Sequence, residues 1–421
     1  MSSSCCQITD VCFVGGGISN LYACYELTLR HKNMHAKSCV LLEAEAELGG
    51  RARVGTFAGT RVPTGAGVGR FEKDARLKRL LKALGLGFRR FRKEVHYANS
   101  ARDGCAVRDA WKRLRLEQSE NGVTEATFKE FALDALGPRE YRAFVKTMGY
   151  TDMENADVAD VLHSYGIDDT FSCGPARHDL MWVDWSALID ALAERIRAAR
   201  QEIRTGCRVE SIVRREDSSF EVTCNSGSWR CRDVVLGVPA GAARQLVRGL
   251  VSRDIYRDYI CQVREQPFLR VYAQFDAASR KEVAQKVSSH GVTVVENELQ
   301  KIIPMDPARG VYMIAYCDNR SARTVHEHEE DARWMARKVR TALGLDRDPV
   351  ITRLQAYYFD AGTHFYAPLV RSLTRSSFVK AAMHPAPGVH LSGEAFSANH
   401  QGWVEGALES AEHVVRKLLK K

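Results

Sequence analysis

Asp10-Val-Cys-Phe-Val-Gly15-Gly16-Gly17-Ile18-Ser19-Asn20-Leu21 joins a short apolar run to three glycines and then to a helical pattern. A chain that turns from strand to helix through glycines can approach a pyrophosphate closely, and the helix offers its N-terminal amides to the negative charge. Glu43 follows the apolar run 39–42, where an acidic side chain can accept hydrogen bonds from a ribose. The segment therefore predicts a dinucleotide site, with a plain glycine turn as the alternative.

Asn20 departs from this pattern, because it stands where a small residue normally lets the helix pack tightly on its strand. We expect Asn20 to loosen or reposition the first helix without abolishing the site. Weak retention of the bound nucleotide would be the visible consequence.

The composition is that of an ordinary globular protein. The chain has 421 residues, 45% of them hydrophobic and 27% charged, which is enough for about two or three domains. It contains no apolar stretch of the roughly 18 residues that a membrane span needs, and residues 1–7 do not resemble a secretion signal. We therefore expect a cytoplasmic protein that does not bind membranes.

The cysteines and the basic residues point to no metal and no nucleic acid. Twelve cysteines occur without a C-x-x-C pair or a zinc-type spacing, so we expect most of them to be buried, reduced thiols and we expect no metal site. The net charge is +9, but the basic segment 76–84 carries leucines at helical spacing and ends at Gly85. A solvated helix face explains these charges better than nucleic-acid binding does, although an attraction for anionic substrates remains open.

The order of apolar segments predicts an α/β fold. Short apolar runs at 11–14, 40–42, 220–223, 234–238 and 389–391 are separated by long helical stretches, so the sheet would be assembled from distant segments. Residues 124–166 read as helical, with a capping box at Thr127 and Glu130 and a stop at Gly137-Pro138. Residues 267–358 alternate as strands. The cluster 326–331 of histidines and acids reads as solvated surface rather than metal ligands, and 404–418 forms an amphipathic helix.

Three further motifs accompany the opening one, at 43–51, 64–70 and 391–407. In this combination and order the chain resembles the flavin amine oxidase family, which includes monoamine, polyamine and L-amino-acid oxidases. The resemblance implies a Rossmann-like FAD-binding domain from 1–75, 180–245 and 375–421, a mixed-sheet substrate domain at 246–374 and an inserted helical domain at 76–179. FAD would be noncovalent, because 361–367, where some relatives attach flavin, contains no cysteine.

The resemblance also implies which residues contact FAD. Glu43 would hold the adenosine ribose, Arg51 the phosphates and the Val209 backbone the adenine, while the Val404 amide would face the flavin carbonyl. Residues 65–67 would run beside the isoalloxazine ring, with an ordinary turn as the alternative. The full set is Gly15, Gly17, Asn20, Glu43, Gly49, Gly50, Arg51, Gly65, Ala66, Gly67, Val209, Gly393, Glu394 and Val404.

A second set of residues would bind the substrate. Arg70 and Tyr316 supply a cation and a hydroxyl, which suit the carboxylate of an amino acid. The alternative for Arg70 is a surface ion pair. Trp403 would form an aromatic wall beside the substrate amine, with Phe365 or Tyr366 opposite, unless it is a core residue.

Arg270 is the second departure from the family pattern, since relatives usually carry a lysine there that assists reoxidation by oxygen. Arginine stays protonated, which places rapid turnover in question. Arg270 could bind the carboxylate instead.

The resemblance implies an FAD-dependent L-amino-acid oxidase, in which a hydride passes from the substrate Cα to flavin N5. The products would be an imino acid, which hydrolyses to a 2-oxo acid and ammonia, and hydrogen peroxide from molecular oxygen. No side-chain base is needed if the amine binds deprotonated. The alternatives are a monoamine or polyamine oxidase and a flavoprotein that has lost turnover and serves as a binding protein. A homodimer is one assembly to test.

Overall fold

The computed structural model describes residues 8–29, 37–92, 94–98, 104–122, 125–164, 179–369 and 374–420. The strands are β1 (Thr9–Val14), β2 (Cys39–Leu42), β3 (Val54–Phe57), β4 (Thr60–Pro63), β5 (Gly69–Arg70), β6 (Arg89–Arg92), β7 (Val95–Tyr97), β8 (Asp179–Trp182), β9 (Glu202–Arg204), β10 (Val209–Arg214), β11 (Phe220–Cys224), β12 (Gly227–Leu236), β13 (Val263–Phe275), β14 (Val292–Val294), β15 (Lys301–Asp306), β16 (Val311–Asp318), β17 (Ile351–Tyr366) and β18 (Val389–Leu391).

Helices connect these strands and also form a separate helical segment. The α-helices are α1 (Ile18–Leu29), α2 (Ala75–Ala83), α3 (Gly104–Asn121), α4 (Phe128–Met148), α5 (Val158–Ser164), α6 (Trp185–Ala198), α7 (Ala240–Val247), α8 (Arg253–Asp258), α9 (Ala277–Lys286), α10 (Asn319–His326), α11 (Ala332–Leu343), α12 (Arg375–Met383) and α13 (Val404–Leu419).

The first sheet contains the apolar runs that the sequence analysis identified, which confirms the α/β prediction. Its order is β10-β11-β12-β1-β2-β9, and β18 also pairs with β12. The strands β18, β12, β1, β2 and β9 are parallel, and their register places Leu391, Leu236, Val14 and Leu42 side by side. The residues that follow these four positions therefore meet at one edge, where ligands bind in open parallel sheets.

The second sheet has the order β17-β13-β16-β15-β14-β7. Its long central strand β13 pairs antiparallel with β16 and β17, so that Arg270 lies opposite Tyr316 on one side and Tyr357 on the other. Residues directly opposite each other in a sheet project on the same face. Arg270 and the two tyrosines therefore form one cross-strand row.

The helical segment has a core of its own, built from buried side chains of α3, α4 and α5. The predicted capping box is confirmed, because Thr127 and Glu130 cap each other's backbone at the start of α4. The predicted stop at Gly137-Pro138 is only a kink. Gly137 has φ 76° and ψ 159°, but the helix continues to Met148, since a glycine in this conformation redirects the chain without ending the apolar face.

Two elements, α2 and β7, pack outside the helical domain to which the proposed division assigns them. The rest of that division stays a prediction. In α2, Leu77 and Leu80 pack in the core of the first sheet, although the division places 76–179 in the helical domain. Strand β7 from the same interval pairs with β14 of the second sheet. The apolar face of α2 covers the first sheet because that is where its leucines can be buried.

Three of the described cysteines are not reduced thiols. Cys207 and Cys224 form a disulfide with their Cα atoms 5.9 Å apart, and Cys105 is also disulfide-bonded. Strand pairing between β10 and β11 brings Cys207 and Cys224 together, which the 17-residue spacing did not reveal. Cys12, Cys24, Cys39, Cys231, Cys261 and Cys317 are free thiols.

Within the described ranges, no helix has the length and apolarity that crossing a membrane requires. The same residues contain no group of three or more histidines, cysteines and acids placed to hold a metal ion.

Candidate active site

The glycine turn lies between β1 and α1 at the carboxyl edge of the first sheet. Gly15 has φ +96°, and a Cβ atom there would lie 2.8 Å from the Gly237 carbonyl oxygen, so only glycine fits. The Gly15 amide donates to the Leu42 carbonyl at 2.7 Å. Gly17 bridges to Gly49, and α1 begins at the next residue. The turn therefore brings the backbone and the start of a helix to the place where a phosphate can bind.

Asn20 is hydrogen-bonded on both sides of this turn, which contradicts a loosened α1, while a repositioned α1 and weak nucleotide retention stay predictions. Its buried side-chain amide donates to the carbonyls of Val14 and Gly15, each at 2.9 Å, and its oxygen accepts from Ser392 Oγ at 2.7 Å. The Asn20 side chain fits because residue 237 is a glycine: a Cβ atom there would lie only 2.6 Å from it. The larger residue is thus accommodated by the glycine that follows β12, and it joins α1, β1 and the end of β18.

Glu43 lies directly beside the glycine turn. Its Oε2 accepts from the Gly16 amide at 2.5 Å and its Oε1 from the Glu45 amide at 2.8 Å. The carboxylate is fixed at the end of β2, and each oxygen keeps a second lone pair for a ligand hydroxyl. This geometry suits the predicted ribose contact, which the structure does not test.

Gly49, Gly50 and Arg51 continue the same edge. The Gly49 amide donates to the Gly16 carbonyl at 2.9 Å, and both glycines have positive φ. Arg51 Nη1 donates to Glu394 Oε1 at 2.6 Å and to the Gly362 carbonyl at 2.9 Å. The guanidinium is thereby held close to the turn, and its other nitrogens can reach phosphate oxygens.

Glu394 connects three elements and stays ionised. It accepts from Arg51, from His364 Nδ1 at 2.5 Å and from the Gly402 amide at 2.9 Å. Burial raises the pKa of Glu394, but charge and hydrogen bonding from His364 and Arg51 outweigh burial and lower the pKa to about 2. Sequence reasoning missed His364, although it lies in the quoted 361–367 segment, because its role depends on two distant partners.

The segment 65–67 runs past Arg51 and Arg270. The Ala66 amide donates to the Arg51 carbonyl at 2.6 Å, and a side chain at Gly65 would collide with the same carbonyl. A Cβ atom on Gly67 would lie 3.1 Å from Arg270 Nη2. Contacts with Arg51 and Arg270 are thus sufficient to require small residues at 65–67. They also place Arg270 against the segment predicted to border the flavin ring.

Three other predicted cofactor residues stand at element ends. Val209 is the first residue of β10, and Gly393, with φ +117°, follows β18 and donates its amide to Ser410 Oγ at 2.9 Å. Val404 is the first residue of α13, and no side chain caps that helix at Trp403. The uncapped amides carry the positive end of the helix dipole and can donate to a ligand oxygen.

Arg70 and Trp403, two of the residues predicted to bind the substrate, contact each other, a pairing that the sequence did not predict. The Arg70 guanidinium lies 4.1 Å from the Trp403 ring centroid. It also pairs with Asp74 at 2.7 Å and contacts His400 Nδ1 at 3.2 Å. Only 13% of the Arg70 side chain is exposed, so the surface ion pair that the sequence left open is wrong, but the charge already has a buried partner.

Arg270 is a buried cation for which the described residues provide no acidic ion-pair partner. The residue is 7% exposed, and its Cζ lies 4.3 Å from the Tyr316 ring centroid. Its Nη1 contacts the Met313 sulfur at 3.5 Å. Among the residues that the structure describes, no carboxylate lies within ion-pair distance of Arg270. A guanidinium in this position is costly unless an anion joins it.

Phe365 and Tyr366 pack into two different hydrophobic cores. Tyr366 is fully buried in the first core, where its hydroxyl donates to the Ser397 carbonyl at 3.0 Å and its ring packs on Phe378. Phe365 packs against the core of the helical segment. The predicted cage partner is therefore wrong for Tyr366, because β17 directs that ring into the protein interior.

A further group that sequence reasoning missed lies beside Tyr316, where β15 and β16 meet the residues that follow α4. Buried Lys301 donates to the Gly149 carbonyl, and its ammonium lies 2.9 Å from the Tyr150 ring centroid and 5.5 Å from that of Tyr316. The two tyrosine rings meet edge to face at 6.0 Å. Only the packing of α4 on the second sheet brings Tyr150 to Lys301, so no sequence signal identified it.

A family model of flavin-containing amine oxidoreductases matches residues 21–419. A comparison with curated protein sequences gives no match.

Solved structures share the fold. A triple mutant of putrescine oxidase, made in a redesign of cofactor binding, has a TM-score of 0.73 at 15% identity over 98% of this chain and 99% of its own. Cyclohexylamine oxidase from Brevibacterium oxydans IH-35A has a TM-score of 0.74 at 15% identity, with the same coverage of 98% and 99%. At this identity the likeness concerns the fold alone.

Proposed function

Because the chain belongs to the flavin-containing amine oxidoreductase family, we propose that it is an FAD-dependent L-amino-acid oxidase. The substrate loses a hydride from Cα and a proton from its nitrogen to give an imino acid. Water then hydrolyses the imino acid to a 2-oxo acid and ammonia. Molecular oxygen accepts the two electrons and two protons and leaves as hydrogen peroxide.

The residues at the carboxyl edge of the first sheet fit FAD. The glycine turn and Arg51 offer amides and a guanidinium to the phosphates, and Glu43 offers a fixed carboxylate to the ribose. The uncapped first turn of α13 offers amide donors to the flavin. When bound, FAD supplies the hydride acceptor, its N5 atom.

The observation that carries the amino-acid proposal is the buried charge of Arg270. It faces Tyr316 and the Gly67 backbone and has no acidic partner among the described residues. A substrate carboxylate would supply the missing negative charge, and the Tyr316 hydroxyl adds a directional donor. Binding at these two groups holds the amino acid in one orientation, which is the main contribution that a protein makes to a reaction carried by its cofactor.

Arg70 has a different role in this proposal. Asp74 neutralises its guanidinium, so Arg70 is a weaker carboxylate anchor than Arg270. By stacking on Trp403 it fixes that ring as a wall of the substrate site. The aromatic wall excludes water from the reacting amine.

A second candidate function is the oxidation of simple amines. It is favoured because the two solved structures described above are, by name, oxidases of putrescine and cyclohexylamine. The neutralisation of Arg70 also removes one of the two predicted carboxylate anchors. In this case the Arg270 charge would serve another anion.

Anaerobic bleaching of the flavin separates the two candidates. Leucine and its decarboxylated amine, isoamylamine, should be mixed with the wild-type holoprotein and with Arg270→Met. We expect leucine to bleach the wild type far faster than the amine does. Removing the Arg270 charge should reduce the efficiency with leucine by about a hundredfold, the usual scale for a buried charge contact, and leave the amine unaffected.

Arg264→Met is the matched control, because Arg264 is an exposed arginine on the same strand. It should behave as the wild type does. Equal bleaching of the wild type by leucine and isoamylamine would favour the amine oxidase. A yellow protein that no amino acid and no amine bleaches would indicate a flavoprotein without turnover.

A further inference from the structure

His364 lies near the end of β17, and its ring is buried with both nitrogens in use. Only 1% of the side chain is exposed. Its Nδ1 lies 2.5 Å from Glu394 Oε1, and its Nε2 accepts from the Ala240 amide at 3.1 Å. The imidazole therefore joins a strand of the second sheet to two elements of the first.

The start of α7 fixes which nitrogen of His364 carries the proton. Ala240 is the first residue of α7, and a backbone amide can only donate. Nε2 is therefore an acceptor, and the ring proton is at Nδ1, where it is donated to Glu394. Glu265 lies opposite His364 in the pairing of β13 with β17 and accepts from the next amide, that of Gly241, at 2.6 Å. A cross-strand pair thus caps α7, and Nδ1 of His364 remains available for a different partner.

That partner, Glu394, distributes its two oxygens over the site. Oε1 accepts from His364 and also from Arg51 Nη1 at 2.6 Å, whereas Oε2 accepts from the Gly402 amide at 2.9 Å. Gly402 lies two residues before Val404, where α13 begins. The orientation of this carboxylate therefore determines where the Arg51 guanidinium lies and how the chain enters α13.

We propose that His364 is a positioning residue for FAD. Its Nδ1–H holds the Glu394 carboxylate in the orientation that presents Arg51 to the phosphates and the first amides of α13 to the flavin. His364 acts through Glu394 and needs no contact with FAD. The proposal concerns the cofactor and does not depend on whether the substrate is an amino acid or a simple amine.

The chemistry of arginine explains why this one donor matters. Without the Nδ1–H, Oε1 would have Arg51 as its donor, and a guanidinium frequently binds a carboxylate through two nitrogens. A second bond to Glu394 would turn another donor of Arg51 away from the phosphates. Only 9% of the Glu394 side chain is exposed, so water is a poor substitute for the lost donor.

Two substitutions separate the two hydrogen bonds of His364. The side-chain nitrogen of asparagine is as many bonds from Cα as Nδ1 is, so His364→Asn keeps the donor to Glu394 and loses the acceptor for Ala240. The side-chain oxygen of glutamine is as many bonds from Cα as Nε2 is, so His364→Gln keeps the acceptor and loses the donor. Glu265→Met is the matched control, because Glu265 caps the same helix through Gly241.

The Kd for FAD is measured by titrating each full-length apoprotein with FAD, and urea unfolding reports the stability of the same apoprotein. We expect His364→Gln to raise the Kd by roughly tenfold or more, as the loss of one charge-assisted hydrogen bond implies. His364→Asn and Glu265→Met should lower the stability and keep the Kd within about twofold of the wild type. In a Glu394→Gln background, His364→Gln should change the Kd little, because residues that act through one contact are not additive.

A merely structural role predicts instead that the Kd follows the stability of each variant. Equal Kd values in His364→Asn and His364→Gln overturn the proposal, and so does a loss of FAD binding in Glu265→Met as large as that in His364→Gln. If His364→Gln does not fold, His364→Asn still decides, since a Kd raised tenfold in that variant refutes a role of the Nδ1–H. These results are independent of the proposed function, which the anaerobic bleaching with leucine and isoamylamine tests.

Discussion

Asn20→Ala is expected to weaken the apoprotein and its hold on FAD. The substitution introduces the small residue that a dinucleotide-binding turn usually carries, so the sequence pattern alone predicts an improvement. In the structure it removes two hydrogen bonds of 2.9 Å to Val14 and Gly15 and one of 2.7 Å from Ser392. At about 1 kcal/mol for each buried bond, the free energy of unfolding should fall by about 3 kcal/mol.

The effect on FAD follows from the bond to Gly15. Without Asn20 the Gly15 carbonyl has no side-chain donor, and the turn must be ordered again when FAD binds. If the worth of one hydrogen bond, about 1 kcal/mol, is lost from the complex, the Kd for FAD rises about fivefold. The two quantities are measured by urea unfolding of the apoprotein and by quenching of tryptophan fluorescence during FAD titration.

Ser19→Ala is the matched control, because Ser19 is the neighbouring residue of α1 and makes a single side-chain contact, with Ser392 Oγ at 3.0 Å. It should cost about 1 kcal/mol and leave the Kd for FAD unchanged. If Asn20→Ala is as stable as the wild type and binds FAD equally well, Asn20 does not tighten the turn. A gain in stability and in FAD affinity in Asn20→Ala would instead show that Asn20 loosens α1.

Three further outcomes are expected. Arg270→Lys should retain anaerobic flavin reduction by amino acids and should speed the reoxidation of the flavin, since lysine can exchange a proton and arginine cannot. Stopped-flow mixing with oxygenated buffer measures the reoxidation rate, and an unchanged rate contradicts this role. Tyr366→Phe should lower the free energy of unfolding by about 1 kcal/mol through the lost bond to Ser397 and leave KM unchanged, whereas a raised KM would restore the cage assignment. Burial, followed by nearby positive groups, lowers the pKa of His384 to about 4. Because the unfolded chain takes up this proton near pH 6.5, the free energy of unfolding should decrease as the pH falls from about 6.5 to about 4. Urea unfolding measures this dependence, and His384→Gln should flatten it.

Periodicity predicted the elements that have a repeating apolar pattern. The runs of β1, β2, β11, β12 and β18 and the stripe of α13 all appear where the sequence placed them. A buried strand or helix face must be apolar whatever it packs against, so its pattern can be read locally. The kink at Gly137 was misplaced as a stop because the local signal for a break does not reveal whether packing continues beyond it.

Side-chain partners were harder to predict. Arg70 and Arg270 look alike in the sequence, yet Asp74 accompanies one of them and the other has no acid within reach among the described residues. Cys207 and Cys224 gave no signal as a pair, because strand pairing alone brings them together. Such pairings depend on register and layer packing, which short segments do not contain.

The sequence by itself determined the α/β class, the glycine turn with Glu43 at its side and the family to which the chain belongs, because glycines and apolar repeats act through local backbone geometry. The tertiary structure decided which contacts single side chains make. Asn20 can bond to both Val14 and Ser392 because Gly237, the residue after β12, leaves room for its side chain, and Lys301 lies against the Tyr150 ring because the residues after α4 pack there. Whether a buried charge or amide has a partner is a property of the assembled neighbours, and only the folded chain brings those neighbours together.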